Sequence, residues 1–206
     1  MALVKYNNNS ISAVTSAASI PSGALTHIKT LTASSSATLS FVHGTDGVVL
    51  DSTYPIYKFE FINIHPANND TDFTVNFRDG GSAYDATKTT TYFRASHGES
   101  GSPASLQYES AVDLAQSTAV QKLSKSGMGN ENDESLSGEL FIYSPSSTTF
   151  IKHFIARTHY YGHDNQSSDD YIAGYNNVTV AIDGVQFAMT SGNIDSGKIK
   201  LYGIKD

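Results

Sequence analysis

From residue 25 onward, the chain alternates between apolar and polar residues in short runs that turn-forming residues separate. In Ile56–His65 the aromatic residues Tyr57, Phe59 and Phe61 occupy every second position, and Asp72–Arg78 alternates in the same way. Successive side chains of a strand point to opposite faces, so an apolar residue at every second position predicts a strand with one buried face. The pattern therefore predicts a protein built from short strands.

About ten or eleven strands of this kind are predicted. They are Leu25–Thr32, Ala37–His43, Ile56–His65, Asp72–Arg78, Thr87–Ser96, Leu136–Tyr143, Thr148–Tyr160, Tyr171–Tyr175, Asn177–Ile182, Val185–Thr190 and Lys198–Ile204. Two hairpins are expected among them. The polar turn Ser144–Ser147 forms one, and the two-residue turn Asp183–Gly184, which is the strongest hairpin signal in the chain, forms the other.

The segments between these strands are less regular. Gly162–Asp170 is expected to be a polar loop, and Ser126–Ser135 a mobile loop, because both are rich in turn-forming and acidic residues. Ala104–Lys122 fits either a short helix or a strand with excursions, since its leucines and valine do not share one clean helical face.

This series of strands predicts an all-β fold, a jelly-roll-like antiparallel β-sandwich. An α/β fold would need several helical segments between the strands, and the absence of an internal repeat disfavours propellers and solenoids. Residues 1–24 are predicted to be an extended N-terminal arm that lies on another subunit, with a frayed terminus as the alternative. Residues 25–206 are predicted to form the β-sandwich domain.

Composition and charge exclude several functions. With 13 basic and 20 acidic residues the net charge is −7, which gives no field to attract nucleic acid. No apolar run approaches the roughly 18–20 residues of a membrane span, and the N-terminus lacks the features of a secretory signal. The chain has no cysteine, which excludes disulfides and thiolate metal sites.

Two segments imitate catalytic or nucleotide-binding motifs but lack a required residue. Gly192–Lys198 resembles a phosphate-binding loop, yet Ile199 stands where that loop needs serine or threonine. His97–Ser102 resembles a nucleophile elbow, yet Ser102 stands where the second glycine belongs. Both segments are therefore interpreted as turns or loops, and no catalytic residue is predicted.

Metal ligands are not predicted either. His153 and His159 would lie about 20 Å apart along one strand, too far to bind one ion together, although His163 could approach His159 at a turn. The acidic segments Asn130–Glu134 and Asp164–Asp170 lack the ordered spacing of a calcium loop. They are interpreted as solvated loops, with a loose calcium site as the alternative. No cofactor is expected.

Tyrosines near strand ends or in loops are the candidate ligand or interface residues. They are Tyr143, Tyr160, Tyr161, Tyr171 and Tyr175. Amphipathic rings in such places stack on sugars or fill subunit interfaces. Ordinary packing within the strands is the third possibility that the sequence leaves open.

Four segments resemble small structural (virion) proteins of tailed bacteriophages, especially those that infect marine cyanobacteria. These are Met1–Ser12, Ile28–Ser34, Tyr57–Pro66 and Ser191–Ile204, of which the last is the most specific. The resemblance extends over most of the chain and implies a location in the virion. It supplies no catalytic residues.

The expected function is therefore that of a non-enzymatic virion structural protein, tail- or tail-fibre-associated or capsid-decorating. It would assemble in the host cytoplasm with other virion proteins and with copies of itself, and a trimer is the expected homo-oligomer by analogy. The alternative is an adhesin module that binds glycans on the host surface. A polysaccharide hydrolase is disfavoured because no acid pair is recognisable.

Overall fold

The computed structural model describes residues 24–205, and every regular element in that range is a strand. The strands, in chain order, are β1 (Leu25–Thr32), β2 (Thr38–Val42), β3 (Ile56–Pro66), β4 (Phe73–Arg78), β5 (Lys88–Gly98), β6 (Ala104–Tyr108), β7 (Gln121–Lys122), β8 (Leu136–Tyr143), β9 (Lys152–Gly162), β10 (Gln166–Asn176), β11 (Gly184–Met189) and β12 (Ile194–Ile204). The predicted all-β fold is confirmed. The predicted arm, apart from Ala24, lies outside the described residues.

The strands form two antiparallel sheets. The large sheet has eight strands in the order β1-β12-β3-β8-β9-β10-β5-β6, and the small sheet has four in the order β2-β11-β4-β7. Three consecutive strands, β8, β9 and β10, pair as neighbours in the middle of the large sheet. The hairpin predicted across Ser144–Ser147 is therefore confirmed.

The two sheets share one aromatic core, as in a β-sandwich. The Phe187 ring of the small sheet lies 5.4 Å from Phe59 and 5.2 Å from Phe61 of the large sheet, between ring centroids. Phe73, on the neighbouring strand β4, stacks on Phe187 at 5.7 Å. All four side chains are buried, so the inner faces of both sheets are occupied by the core.

The predicted hairpin at Asp183–Gly184 is wrong. Residues 177–182 form no strand, and β11 pairs with β2 and β4 instead. The reason is a buried lysine, because the Lys152 ammonium donates to the carbonyls of Val178 (2.9 Å) and Val180 (2.5 Å). A buried cation needs such acceptors, and carbonyls that turn toward it cannot accept hydrogen bonds from a neighbouring strand.

Two other expectations need correction. The predicted polar loop Gly162–Asp170 is largely strand, because β10 begins at Gln166 and its Ser168 and Asp170 side chains point inward, where they are buried. The ambiguous segment Ala104–Lys122 contains no helix. It consists of β6 and β7 joined by turns.

Candidate functional site

The outer face of the large sheet is the side that points away from the core. Along β9, buried and exposed residues alternate strictly, so that His153, Ile155, Arg157 and His159 are exposed on this face. Their neighbours along the strand point into the core. A sheet that buries one face presents its other face to solvent or to a partner.

One row of cross-strand neighbours runs over seven strands of this face. It consists of Tyr108, Phe93, Tyr171, Arg157, Glu139, Glu60 and Lys200. Its β6–β5–β10 end is aromatic and its β8–β3–β12 end is charged. Since opposed side chains on one face contact each other, the row divides the outer face into an apolar half and a charged half.

The apolar half contains a stack of three flat groups. The rings of Phe93 and Tyr171 lie 4.9 Å apart and almost parallel, with an interplanar angle of 5°. The Arg157 guanidinium lies 4.9 Å from the centre of the Tyr171 ring. This arrangement combines aromatic stacking with a cation–π contact. We call Phe93, Tyr171 and Arg157 the aromatic stack.

Asp169 holds the guanidinium of the stack in place. The Arg157 Nε donates to Oδ1 of Asp169 at 3.0 Å and the Arg157 Nη2 donates to Oδ2 at 2.7 Å, a bidentate pair. This hydrogen bonding raises the pKa of Arg157. Burial favours a higher pKa for Asp169, but the hydrogen bonds from Arg157 and Tyr171 outweigh burial and lower it. Both groups are therefore charged at neutral pH.

Large apolar side chains are exposed around the stack. Leu106 is 74 % exposed, Tyr108 55 %, Ile155 49 % and Phe93 43 %. Leu106 and Tyr108 lie on β6, Ile155 on β9 and Phe93 on β5, all on the outer face. A fifth residue, Ala173 of β10, lies between Ile155 and β5. We call these five residues the apolar patch. Contiguous exposed apolar surface of this kind marks interaction sites.

Three shallow hollows open along the outer face, with volumes of about 490, 400 and 310 Å³. The first lies around Glu60, Arg157 and His159, whereas the other two lie on either side of Ile155 and Ala173. Pockets for small molecules enclose most of the ligand surface. Open hollows on a sheet face suit a partner that lies across several strands.

The structure separates the five predicted tyrosines. Tyr171, Tyr175, Tyr143 and Tyr161 alternate with buried residues and point to the outer face, all of them partly buried. Tyr171 is in the aromatic stack, and Tyr175 contacts His153 on the same face. Tyr143 and Tyr161 lie near strand ends, so the four tyrosines do not form one cluster.

Tyr160 differs from the other four candidates and takes the third possibility, ordinary packing within its strand. Its side chain points inward and is fully buried. Its hydroxyl accepts hydrogen bonds from the amides of Lys125 (3.2 Å) and Ser126 (2.9 Å). Tyr160 therefore anchors the segment that follows β7, and its burial raises its pKa. It is a structural residue.

Sequence reasoning missed Phe93, Ile155 and Arg157 of the outer face. The signal was available, because Ile155 and Arg157 are two residues apart and alternate with Phe154 and Ala156, which are buried. Bulky residues occur on both faces of β9, and this hid which face was the inner one.

A buried polar cluster lies beneath the apolar patch, on the inner face of the same strands. The Tyr92 hydroxyl donates to Oδ2 of Asp170 at 2.5 Å, and both side chains are fully buried. Burial raises the pKa of Asp170 to about 7. The Arg94–Glu109 pair, 3.3 Å between Nε and Oε1, belongs to the same region. None of the three hollows is lined by these residues.

The histidines and the acidic segments make local polar contacts. His159 contacts the Ser167 hydroxyl at 2.8 Å, and His163 lies 3.6 Å from the Asp70 carboxylate. Glu134 accepts a hydrogen bond from the Glu131 amide at 2.6 Å. In residues 24–205, no three His, Asp or Glu side chains come together as the ligands of a metal ion would.

The fold and this face define a class of protein, an all-β, β-sandwich-like domain with an exposed sheet face. The described residues include no helix with the length and hydropathy needed to span a membrane. The chain matches no family model, no curated protein and no solved structure.

Proposed function

We propose that this chain is a non-enzymatic virion structural protein of a tailed bacteriophage, tail- or fibre-associated or capsid-decorating, which binds other virion proteins through its outer face. The observation that carries the proposal is the apolar patch. Four large apolar side chains, Leu106, Tyr108, Phe93 and Ile155, are at least 43 % exposed on one face of the described domain. Burying such surface in an interface is favourable by about 25 cal/mol per Å².

The chemistry of the outer face favours association with a protein. Aromatic residues and arginine are enriched in the centres of protein interfaces. The aromatic stack is already ordered by the Arg157–Asp169 pair, so binding would cost little side-chain entropy. The charged half of the face would add a polar rim that selects the partner.

The proposal that the protein is not an enzyme is supported by how its carboxylates are used. On the outer face, Asp169 is paired with Arg157, and Glu139 lies 2.8 Å from the Lys58 ammonium. The carboxyl group with a strongly raised pKa, Asp170, is buried beneath the sheet. A general acid must reach its substrate, and Asp170 is closed off from it.

The finer features of the proposal come from the sequence. Residues 1–24 would be an arm laid over a neighbouring subunit, and the sandwich would be of the jelly-roll kind, with a trimer as the expected homo-oligomer. The resemblance of Ser191–Ile204 and three other segments to virion proteins supports the location. A cysteine-free chain is also suited to assembly in a reducing cytoplasm.

Particle composition tests this function directly. Purified particles of the phage that encodes the chain should contain it by mass spectrometry, and gold-labelled antibodies should mark either heads or tails. The patch is tested by complementation with Ile155→Asp, which should fail to enter particles. Phe150→Asp is the matched control, because Phe150 is 73 % exposed outside the patch. Absence of the wild-type chain from particles would refute the proposal.

Glycan binding is the second candidate function. The hollow of about 310 Å³ is lined by Phe93, Tyr171, Ile155 and Arg157, which bring aromatic and charged groups together. Phe93 and Arg157 cover the two faces of the Tyr171 ring, so a sugar would contact the ring edges and hydrogen-bond to the Arg157 guanidinium. A glycan array would then give a specific hit that Tyr171→Ala abolishes and Tyr161→Ala retains. An array without specific hits would eliminate this candidate.

A further inference from the structure

Strand β6 forms a free edge of the large sheet. All five of its residues, Ala104–Tyr108, are exposed. It pairs with β5 on one side only, and no further strand of the described residues lies beyond it. Such an edge presents unpaired backbone N–H and C=O groups that can pair with another strand.

The hydrogen bonding to β5 shows which backbone groups of β6 are free. The Pro103 carbonyl faces β5, where it accepts from the Gly98 amide at 2.7 Å. In an antiparallel ladder, the backbone groups of alternate residues point to opposite sides of the strand. The N–H and C=O groups of Ala104, Leu106 and Tyr108 therefore point outward from the sheet edge.

This edge lacks two of the devices that protect sheet edges, charged side chains and a β-bulge. The sequence of β6, Ala-Ser-Leu-Gln-Tyr, contains no charged residue, and the strand pairs with β5 without a bulge. At the opposite edge of the same sheet, β1 carries Lys29, next to an irregularity in register between His27 and Lys29. Charges and bulges discourage edge-to-edge pairing. The large sheet is thus protected at β1 and open at β6.

We propose that β6 pairs with β6 of a second copy of this chain, antiparallel about a two-fold axis. With Leu106 opposite its own counterpart, Ala104 of each copy faces Tyr108 of the other. The three residues with outward backbone groups then form three hydrogen-bonded pairs, with about six backbone hydrogen bonds in total. The strand is complementary to itself in this register, and this favours a second copy over an unrelated partner.

The apolar patch strengthens this choice. Side chains opposed across an antiparallel pair lie on the same face, so Leu106 and Tyr108 of both copies would lie side by side on the outer face. The two patches would merge into one continuous surface across the seam. The pairing therefore shields part of the most exposed apolar side chain of the patch, Leu106.

Cysteine cross-linking tests the register. The chain has no cysteine, so Leu106→Cys introduces a single thiol. Hydrogen-bonded antiparallel pairs bring Cα atoms to about 5.5 Å, within the range of a disulfide. Mild oxidation should convert Leu106→Cys to a covalent dimer, whereas the exposed control Phe150→Cys should form no disulfide-linked dimer. Equal cross-linking of the two variants would overturn the register.

Sedimentation of the full chain tests the pairing itself. The wild type should show twice the 22.1 kDa mass of one chain. Leu106→Lys and Leu106→Glu should each dimerise at least about tenfold more weakly, because like charges would meet at the two-fold axis. An equal mixture of the two variants should recover the dimer, since lysine then faces glutamate.

Three outcomes would overturn the inference: a wild-type monomer, a three-copy mass, or a dimer that both charge variants keep. A monomer whose β6 amides are protected from hydrogen exchange would assign the edge to residues 1–23 instead. The inference rests on the proposed assembly function, names a second copy as one partner and replaces the trimer expected by analogy with a two-fold dimer. The β6 pairing and the virion function can fail separately. Sedimentation of the purified chain tests the pairing, whereas the composition of virus particles tests whether the chain is part of the virion.

Discussion

At the scale of single residues, Asp170 makes stability depend on pH. Burial raises its pKa from 3.8 to about 7, so the folded protein keeps a proton that the unfolded chain has released. The free energy of unfolding of the wild type should therefore fall, relative to Asp170→Asn, as the pH rises from about 4 to about 7. The expected change is on the order of 4 kcal/mol. Urea unfolding of both proteins across this range measures it.

The adjacent residue provides a control of opposite sign. Asp169 points to the outer face, and its pKa is lowered because hydrogen bonds from Arg157 and Tyr171 outweigh its burial. The wild type should gain stability relative to Asp169→Asn as the pH rises through the lowered pKa toward 3.8, and then remain level. A difference between the wild type and Asp170→Asn that stays constant between pH 4 and pH 7 would contradict the role of Asp170.

At the scale of elements, the close approach of β8 and β9 depends on Gly138. A Cβ atom at this position would lie 2.3 Å from the Arg157 carbonyl oxygen and 2.8 Å from the Thr158 Cα. Both are backbone atoms of the next strand, which cannot move aside without disturbing the sheet. Gly138→Ala should therefore lower the free energy of unfolding by about 1–3 kcal/mol or more, as measured by urea unfolding.

Gly81→Ala is the matched control for this substitution. A Cβ atom there would have the Ala83 amide nitrogen at 3.9 Å as its nearest neighbour, which is ordinary contact. Its effect should stay within about 0.5 kcal/mol of the wild type. Equal effects of the two alanines would show that the strands separate easily at Gly138.

Strands that alternate cleanly could be predicted from the sequence, whereas strands shaped by tertiary contacts could not. β8 has the predicted bounds, Leu136–Tyr143, because its own apolar residues mark the inner face. The start of β10 was missed, since polar residues usually indicate a loop, and only the distant Tyr92 makes Asp170 an inward-facing residue. Likewise, the carbonyls of residues 178 and 180 serve Lys152, which no local pattern reveals.

The candidate site was predictable to a similar extent. Tyr171 was found because it is a tyrosine at the end of a predicted strand, and the same reasoning also included Tyr160, whose side chain points inward and is buried. Tyr160 and Tyr161 both lie on β9, and the register of this strand decides which of them points outward. Bulky residues on both faces of β9 leave that register ambiguous. The partners of Tyr171, namely Phe93 and Arg157, come from other strands and become neighbours only through sheet pairing.

At the scale of the whole molecule, the two sheets depend on one core and should unfold together. Phe187 of the small sheet contacts Phe59 and Phe61 of the large sheet, and all three are buried. Phe187→Ala should lower the free energy of unfolding by about 3–5 kcal/mol. Since the core is shared, far-ultraviolet circular dichroism and tyrosine fluorescence should give coincident urea transitions for the wild type and for this variant.

The exposed residue Phe150 provides the reference for this last prediction. Its side chain is 73 % exposed, so Phe150→Ala should change the free energy of unfolding by no more than about 0.5 kcal/mol. Two separate transitions in the Phe187→Ala variant would mean that each sheet is stable on its own. In that case the inner faces would not form one cooperative core. Packing against the small sheet would then not be what keeps the outer face of the large sheet rigid.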